Sequence, residues 1–491
     1  MLDDMVFKHP PLKHQAEELQ ISREAVYRAL FWEMGTGKSK VMVDTMAWLY
    51  KLGLIDVVVV VAKKGEYTNW KYNEIPEHMP ADVPYQCEVY RSGLRADEKR
   101  AIKRLADPSV GPRLRILCIN VESLSMDKRK RMTSEGAKVA AGFLKTRQVG
   151  ALMVVDESTC IKSYKAVRSQ TVVELGRRAQ YRRVLSGTPV PRSPLDLWGQ
   201  ALFLHPGALR HRTFTEFRAE YAVIETVTRG TRSFPTISGY QSLDKLHNVV
   251  KTFGSIKERW ECVDLPPKIY KKTAVPLTDK QADLYAQMRD LAIAELGDGA
   301  IVEATNALGI ISRLDQIACG QLKREDGSFE ILDSNRPDAL VEGLEQSDKR
   351  QLVWCNYRGL CEHLYGRLCD EFGSKHVGRY YGGVADDERE SVVRGFQDPD
   401  AEIRVIVANQ VSLGYGRTLT MGKVNHYYSN GYNLEHRLQS EDRTMRIGQD
   451  EPVLYNDIYT PYTVNEKIYA NLRGKLSLAQ QVLGTRIRDW I

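Results

Sequence analysis

Five consecutive valines occupy positions 57–61, between Asp56 and Ala62. A β-branched run that is apolar at every position suits a strand covered on both faces, as in a parallel sheet with helices on either side. Further strand-like runs, mostly apolar, recur at 116–119, 151–155, 351–356 and 403–408, and residues 183–185 read as a further short strand. Several run into polar residues, and in open α/β sheets ligands meet the loops after strand C-termini. The chain is therefore read as α/β, with the strand-and-helix pattern occurring twice.

The stretch Glu33-Met34-Gly35-Thr36-Gly37-Lys38-Ser39 reads as a phosphate-binding loop. Without a Cβ at Gly35 and Gly37, backbone N–H groups can close around a phosphate. Lys38 supplies a point charge for the outer phosphates, and the Ser39 hydroxyl can ligate magnesium. Apolar or small residues at Val41, Thr45, Trp48 and Leu49 have helical spacing, so the loop opens a helix whose N-terminus favours an anion. The strict pattern has glycine at position 32, where this chain has Trp32. A glycine turn before a surface helix would look similar.

The run at 151–155 ends in Asp156-Glu157-Ser158-Thr159. An acidic pair at the tip of an apolar strand is costly without a partner or a task. Downstream of a phosphate loop, Asp156 would hold magnesium through its water shell and Glu157 would orient the attacking water. Lys38-Ser39 and Asp156-Glu157 together point to nucleotide hydrolysis. Gln15, ahead of the loop, carries an amide that can pair with an adenine edge or cap a helix. Lys63 and Lys64 end the valine run and are phosphate contacts or a solvated pair. Asn120 ends the next run. The cluster Lys128-Arg129-Lys130-Arg131 reads as a nucleic-acid or import signal or as a solvated helix end. Ser186 and Thr188 in Ser186-Gly187-Thr188-Pro189 would relay phosphate state or cap a turn.

Composition narrows the class. The chain has 491 residues, enough for two to four domains; 43% are hydrophobic and 27% charged, as in ordinary globular proteins. No run of 18 apolar residues marks a membrane span. Met1-Leu2-Asp3-Asp4 is acidic where a secretory signal is basic. The eight cysteines are scattered, with no metal-binding spacing, and are expected as free thiols in a reducing compartment. A net charge of +7 leans mildly toward polyanions.

In this order the motifs resemble those of superfamily 2 helicases, most closely the Swi/Snf-type chromatin-remodelling ATPases and their compact bacterial and phage relatives. The first-half resemblance rests on Leu12-Lys13-His14-Gln15, on residues 33–39, on Asp156-Glu157 with Ile161-Lys162-Ser163, and on Leu185-Ser186-Gly187-Thr188-Pro189-Val190 with Leu197-Trp198. The family loop is Glu-Met-Gly-x-Gly-Lys-Thr/Ser, so Trp32 is no departure within it. In the second half, the stretch from Gln439 to Gln449 matches the family's Gln-x-x-x-Arg-x-x-Arg-x-Gly-Gln at every fixed position. Ser412-Leu413-Gly414-Tyr415-Gly416 resembles its backbone-gripping Gly-Gly-x-Gly loop. Departures are Lys63 for proline, Ser158-Thr159 for Ala-His, Leu413 for glycine, Ser429 for aspartate, and Tyr432-Asn433-Leu434 for Trp-Asn-Pro.

The resemblance implies two tandem RecA-like lobes with helical insertions. We place the ATP-binding lobe at 1–206, a mainly helical insertion at 207–263, and the second lobe at 264–491. That lobe has a helical protrusion at about 275–335 and a sheet starting near 350. ATP would bind through Gln15, Gly35, Thr36, Gly37, Lys38, Ser39 and magnesium on Asp156. Arg443 and Arg446, at i and i+3 on one helix face, would complete the site as the cleft closes. Gln439 joins Ser186 and Thr188 in coupling. Nucleic acid would cross Lys63, Lys64, Asn120, Asn356, Tyr357, Ser412 and Gly414 through phosphate contacts. The resemblance implies an ATP-driven motor on double-stranded DNA that does not part the strands. A strand-separating or annealing helicase on branched DNA or RNA, and a non-hydrolysing scaffold, are the alternatives. A monomer away from membranes is expected, in a bacterial or phage-infected cytoplasm, with a nucleus left open.

Overall fold

The computed structural model describes residues 4–64, 66–127, 131–229, 232–297, 304–324, 328–413, 417–446 and 448–483. They fall into two compact units, one holding most of the chain up to Asp264 together with residues from Leu478, the other holding Leu265–Ser477.

The first unit is built on strands β1 (Tyr27–Trp32), β2 (Val57–Ala62), β3 (Tyr85–Tyr90), β4 (Leu114–Asn120), β5 (Ala151–Val155) and β6 (Tyr181–Leu185). The strand pair β7 (Ala222–Arg229) and β8 (Arg232–Tyr240) and the strand β9 (Gly254–Lys257) follow. Seven of these form one sheet in the order β3-β4-β2-β5-β6-β1-β9. Every neighbouring pair in it is parallel. The valine run lies at the heart of it. Val57, Val59 and Val61 pack into the core on one face, Val58 and Val60 into the core on the other, and all five are fully buried. Each such side chain contributes about 1.5–3 kcal/mol of burial. The doubly covered strand read from the sequence is thus its physical environment.

Among the described residues, 207–263 carry nearly as much strand as helix, where a mainly helical insertion is expected from the sequence. Alongside the helices Phe214–Tyr221 and Leu243–Phe253 they hold the β7–β8 pair and β9. Strand β9 extends the first sheet beside β1. Glycine makes this close pairing possible: a Cβ at Gly254 would stand 3.2 Å from the Ala29 Cβ.

The second unit holds β10 (Lys268–Ala274), a small antiparallel pair β11 (Gln321–Lys323) and β12 (Phe329–Ile331), then β13 (Arg350–Cys355), β14 (Val377–Tyr380), β15 (Val405–Asn409), β16 (Gly422–Tyr427) and β17 (Val453–Tyr459). Its main sheet has the order β10-β17-β16-β13-β15-β14, parallel throughout. The sheet therefore opens at β10, well before position 350. The sequence hides β10 because this edge strand carries three lysines, Lys268, Lys271 and Lys272, in place of an apolar run. Helices Asp279–Gly297 and Ala304–Ala318 precede β11, and Val464–Leu483 is the final helix. Each unit is a RecA-like parallel sheet with helices on both faces. Among the described residues no helix is long and apolar enough to cross a membrane, and the eight cysteines are thiols outside any disulfide.

Candidate nucleotide site and strand-end loops

The phosphate loop leaves β1 and enters the helix Lys38–Lys51. Gly35 (φ 78°) and Gly37 (φ 82°) are both left-handed, a conformation that a Cβ disfavours. Lys38 Nζ donates to the carbonyls of Trp32 (2.8 Å) and Glu33 (3.0 Å), which holds the ammonium over its own loop. Thr36 Oγ1 donates to the Glu33 carbonyl at 2.7 Å.

Gln15 is brought to this loop, but its amide faces backbone. Nε2 donates to the Thr36 carbonyl at 3.2 Å, and Oε1 accepts from the Leu12 N–H at 2.9 Å. His14 Nε2 donates to the same Thr36 carbonyl at 2.8 Å. A Cβ on Gly37 would meet Gln15 Nε2 at 2.1 Å, so Gln15 and Gly37 are in intimate contact. The geometry is that of a loop brace, not of an amide presented to an adenine edge. Sequence reasoning missed a second brace, Arg259. Its Nε donates to the Met34 carbonyl (2.7 Å) and its backbone N–H to Glu33 Oε2 (2.8 Å). Only the fold, by placing β9 beside β1, brings it there.

Asp156 and Glu157 follow β5. Glu157 adopts φ 44°, ψ 61°, an uncommon conformation for a non-glycine residue that is held only where its surroundings enforce it. Asp156 Oδ1 accepts from the Glu157 N–H at 2.9 Å, and Oδ2 accepts from Trp70 Nε1 at 2.8 Å. Trp70 opens a π-helical turn, Trp70–Glu74, of a kind frequent at functional sites. Burial pushes the Asp156 carboxyl above its ordinary range, and the Trp70 hydrogen bond and the Lys38 charge oppose that rise. Lys38 and Asp156 are thus close enough to interact, although they come from different strands. Lys63, expected as a nucleic-acid contact, also places its charge on Asp156.

This donor set fits magnesium. It is all oxygen, with one carboxylate and one hydroxyl, Ser39, at a helix N-terminus. Both Asp156 oxygens keep lone pairs beyond their single hydrogen bonds. Magnesium takes such a set with phosphate oxygens and water completing the shell.

Strand β6 lies between β5 and β1, so the Ser186–Pro189 turn emerges between the acid pair and the phosphate loop. Ser186 Oγ accepts from the Thr188 N–H at 3.1 Å. The Thr188 hydroxyl is buried with no hydrogen-bond partner among the described residues. Asn120 ends β4 opposite Ala62, which places it at the same sheet edge as Lys63 and Lys64.

In the second unit Asn356, Tyr357 and Ser412 gather at one sheet edge, after β13 and β15. Asn409 Nδ2 donates to the carbonyls of Cys355 (3.1 Å) and Asn356 (3.0 Å) and ties these loops together. The Tyr357 hydroxyl is committed inward, donating to Asp315 at 2.5 Å, so it is not presented to a phosphate. Gly414 lies outside the described residues, as do Lys128, Arg129 and Lys130.

The two signature arginines depart from expectation. The helix Leu434–Glu441 ends before them, and both sit in the turns beyond it. Arg443 is buried, with Nε on the Gln439 carbonyl (2.9 Å) and a terminal nitrogen on the Arg417 carbonyl (3.0 Å). Arg446 is half-buried, with Nε on the Asp442 carbonyl (2.8 Å) and a terminal nitrogen on Thr418 Oγ1 (3.1 Å). Gln439 is buried, with Nε2 donating to Glu435 at 3.4 Å. The helix itself is pinned by Arg437. That side chain is fully buried, donates to Glu441 at 2.8 Å and Asp457 at 2.9 Å, and lies 3.4 Å from the centre of the Tyr427 ring. No spacing rule in the sequence marked it.

Comparison with known proteins accords with this arrangement. The model of the SNF2-related domain matches residues 22–322, and that of the helicase conserved C-terminal domain matches 335–448. The ATP-dependent DNA helicase DDM1 of Arabidopsis thaliana is 23% identical over 92% of this chain and 58% of its own length. The ISWI chromatin-remodeling complex ATPase CHR11, also of Arabidopsis thaliana, is 24% identical over 92% of this chain and 40% of its own. The TATA-binding protein-associated factor MOT1 of Saccharomyces cerevisiae is 26% identical over 67% of this chain and 20% of its own. The chain thus spans well under two thirds of these relatives. Superposition on the SWI2/SNF2 ATPase core of Sulfolobus solfataricus, solved with double-stranded DNA, covers 97% of this chain and 93% of that one. Identity there is 19% and the TM-score 0.42. With its family model matched over more than half its length, the chain belongs to the SNF2-related family of helicase-like ATPases.

Proposed function

We propose that the protein hydrolyses ATP with magnesium to move along double-stranded DNA without separating the strands. The observation carrying this reading is the convergence of Lys38, Asp156 and the Ser186–Pro189 turn at one edge of the first sheet. In this reading Gly35, Thr36, Gly37 and Lys38 hold the phosphates, while Gln15 and Arg259 hold the loop. Ser39 and Asp156 would hold magnesium, which when bound would neutralise phosphate charge. Glu157, aimed by its left-handed backbone, orients the attacking water. Arg446 is assigned to the charge that develops on the γ-phosphate, and Arg443 to holding the Arg446 turn. We retain 1–206 as the ATP-binding part and 264–491 as the part bearing the arginines, with 207–263 completing the first sheet.

For the polymer, Lys63, Lys64, Asn120, Asn356 and Ser412 supply polar groups at strand ends, and Gly414 is kept from the sequence pattern alone; binding would be sequence-independent and salt-sensitive. The names of relatives such as DDM1 favour DNA. The test is release of a third strand from a triplex, run beside unwinding of a forked duplex. ATP-dependent triplex release with an intact fork is expected. Fork unwinding at the same rate would replace this reading with a strand-separating helicase. No release from either substrate would remove translocation altogether.

A further inference from the structure

A buried polar bridge joins the acid-pair turn to the turn after β6. Ser158, next to Glu157, is fully buried, and its hydroxyl donates to Gln200 Oε1 at 2.6 Å. Gln200, on the helix Leu197–Leu204, is also fully buried. Its Nε2 donates to the Pro189 carbonyl at 2.7 Å and to the Asp196 carbonyl at 2.9 Å. A buried amide left unpaired is costly, and this one is paired at both ends.

Two glycine contacts fix the ends of the bridge independently. A Cβ on Gly199 would stand 2.2 Å from the Ile161 carbonyl oxygen and 3.0 Å from that of Lys162, so helix backbone meets the acid-pair turn directly. A Cβ on Gly187 would stand 3.0 Å from Met34 Cγ and 3.4 Å from the Met34 nitrogen, so the β6 turn abuts the phosphate loop. A continuous path therefore runs from Met34 through Gly187, Pro189 and Gln200 to Ser158 beside Glu157. Ser158 and Thr159 stand where the family pattern has Ala and His, so the bridge is built on this chain's own departure.

We propose that Gln200 is a positioning residue that transmits the state of the Ser186–Pro189 turn to Glu157, and so links nucleic-acid engagement to hydrolysis. The proposal rests on the reading of the protein as a nucleic-acid-stimulated ATPase. Hydrogen bonds of this kind are lost beyond about 3.5 Å. When the Pro189 carbonyl shifts, Gln200 and Ser158 either follow it or break bonds in a site closed to solvent. The Thr188 hydroxyl in the same turn is buried without a hydrogen-bond partner among the described residues.

The experiment uses the full chain as wild type, Gln200→Met, Ser158→Ala and the double variant. Methionine keeps the length and loses the hydrogen bonds. Turnover is measured with and without saturating linear duplex DNA, together with the KM for ATP and thermal unfolding. DNA stimulation is expected to fall at least about fivefold in Gln200→Met, with KM within about twofold of wild type. Ser158→Ala should lower stimulation in the same direction, and the double variant should lose no more than Gln200→Met alone. Undiminished stimulation in folded Gln200→Met, or additive losses, would overturn the bridge. Should Gln200→Met fail to fold, Ser158→Ala decides, and full stimulation there overturns the proposal. A wild type that DNA does not stimulate removes the underlying reading, and the bridge proposal falls with it.

Discussion

Arg443 and Arg446 stand three positions apart in one signature, yet their surroundings differ, and in the proposed function they do different work. Arg443 is buried on two backbone carbonyls, whereas Arg446 is half-buried, on the Asp442 carbonyl and the Thr418 hydroxyl. Arg446→Ala is expected to lower turnover about 10³-fold with nucleotide binding retained, as for a lost arginine finger. Arg443→Ala is expected to destabilise the fold by about 1–3 kcal/mol, the penalty for stranding buried carbonyls. Turnover, nucleotide-binding and thermal-melting measurements on the two variants check both outcomes; equal effects on turnover at equal stability would contradict the division. Trp70 makes a second residue-scale case. Its indole N–H fixes one oxygen of Asp156. Trp70→Phe keeps the ring and removes the donor, so the magnesium needed for half-maximal binding of a fluorescent ATP analogue should rise about tenfold. An unchanged magnesium requirement would exclude that positioning role. The sequence named Asp156 but not its indole partner, because residues 86 positions apart meet only through the fold.

Elements were legible where burial is complete. The valine run, the acid-pair strand and the loop-to-helix unit are written in local pattern, since each has one environment on all sides. Edge strands were not. β10 carries three lysines among seven residues, and β9 has only four residues, so neither presents a periodic signature. The arginine turns were read as helix because Arg443 and Arg446 keep helical spacing. The helix stops at Glu441, and within it Arg437 is anchored to Glu441 one turn on and to Asp457 on β17. Strand β16 carries a further element-scale consequence. His426 Nε2 donates to Gln351 Oε1 at 2.9 Å, and burial, with Lys271 adding to it, pulls its pKa down to about 4. The unfolded chain binds that proton near its ordinary value of about 6.5. The neutral ring therefore contributes stability that is complete above pH 6.5 and is lost as pH falls toward 4, up to about 3 kcal/mol. Denaturant midpoints at pH 7 and pH 5 should differ in wild type and converge in His426→Gln. Equal shifts in both proteins would place the titration elsewhere.

At the scale of the whole molecule, the sequence disclosed two α/β halves and most of the residues that the first sheet edge brings together. It disclosed less of what holds them. Gln15 and Arg259 on the phosphate loop, and Gln200 between two turns, are brought into place by strand order, which no local pattern encodes. The central claim is that ATP hydrolysis here answers to duplex DNA. The most direct test is steady-state turnover of the full chain at saturating magnesium and ATP, with and without linear duplex DNA, beside Lys38→Ala. Stimulation of about tenfold or more by duplex is expected in wild type, with turnover lost in Lys38→Ala under both conditions. A wild-type rate that is the same with and without duplex would contradict it.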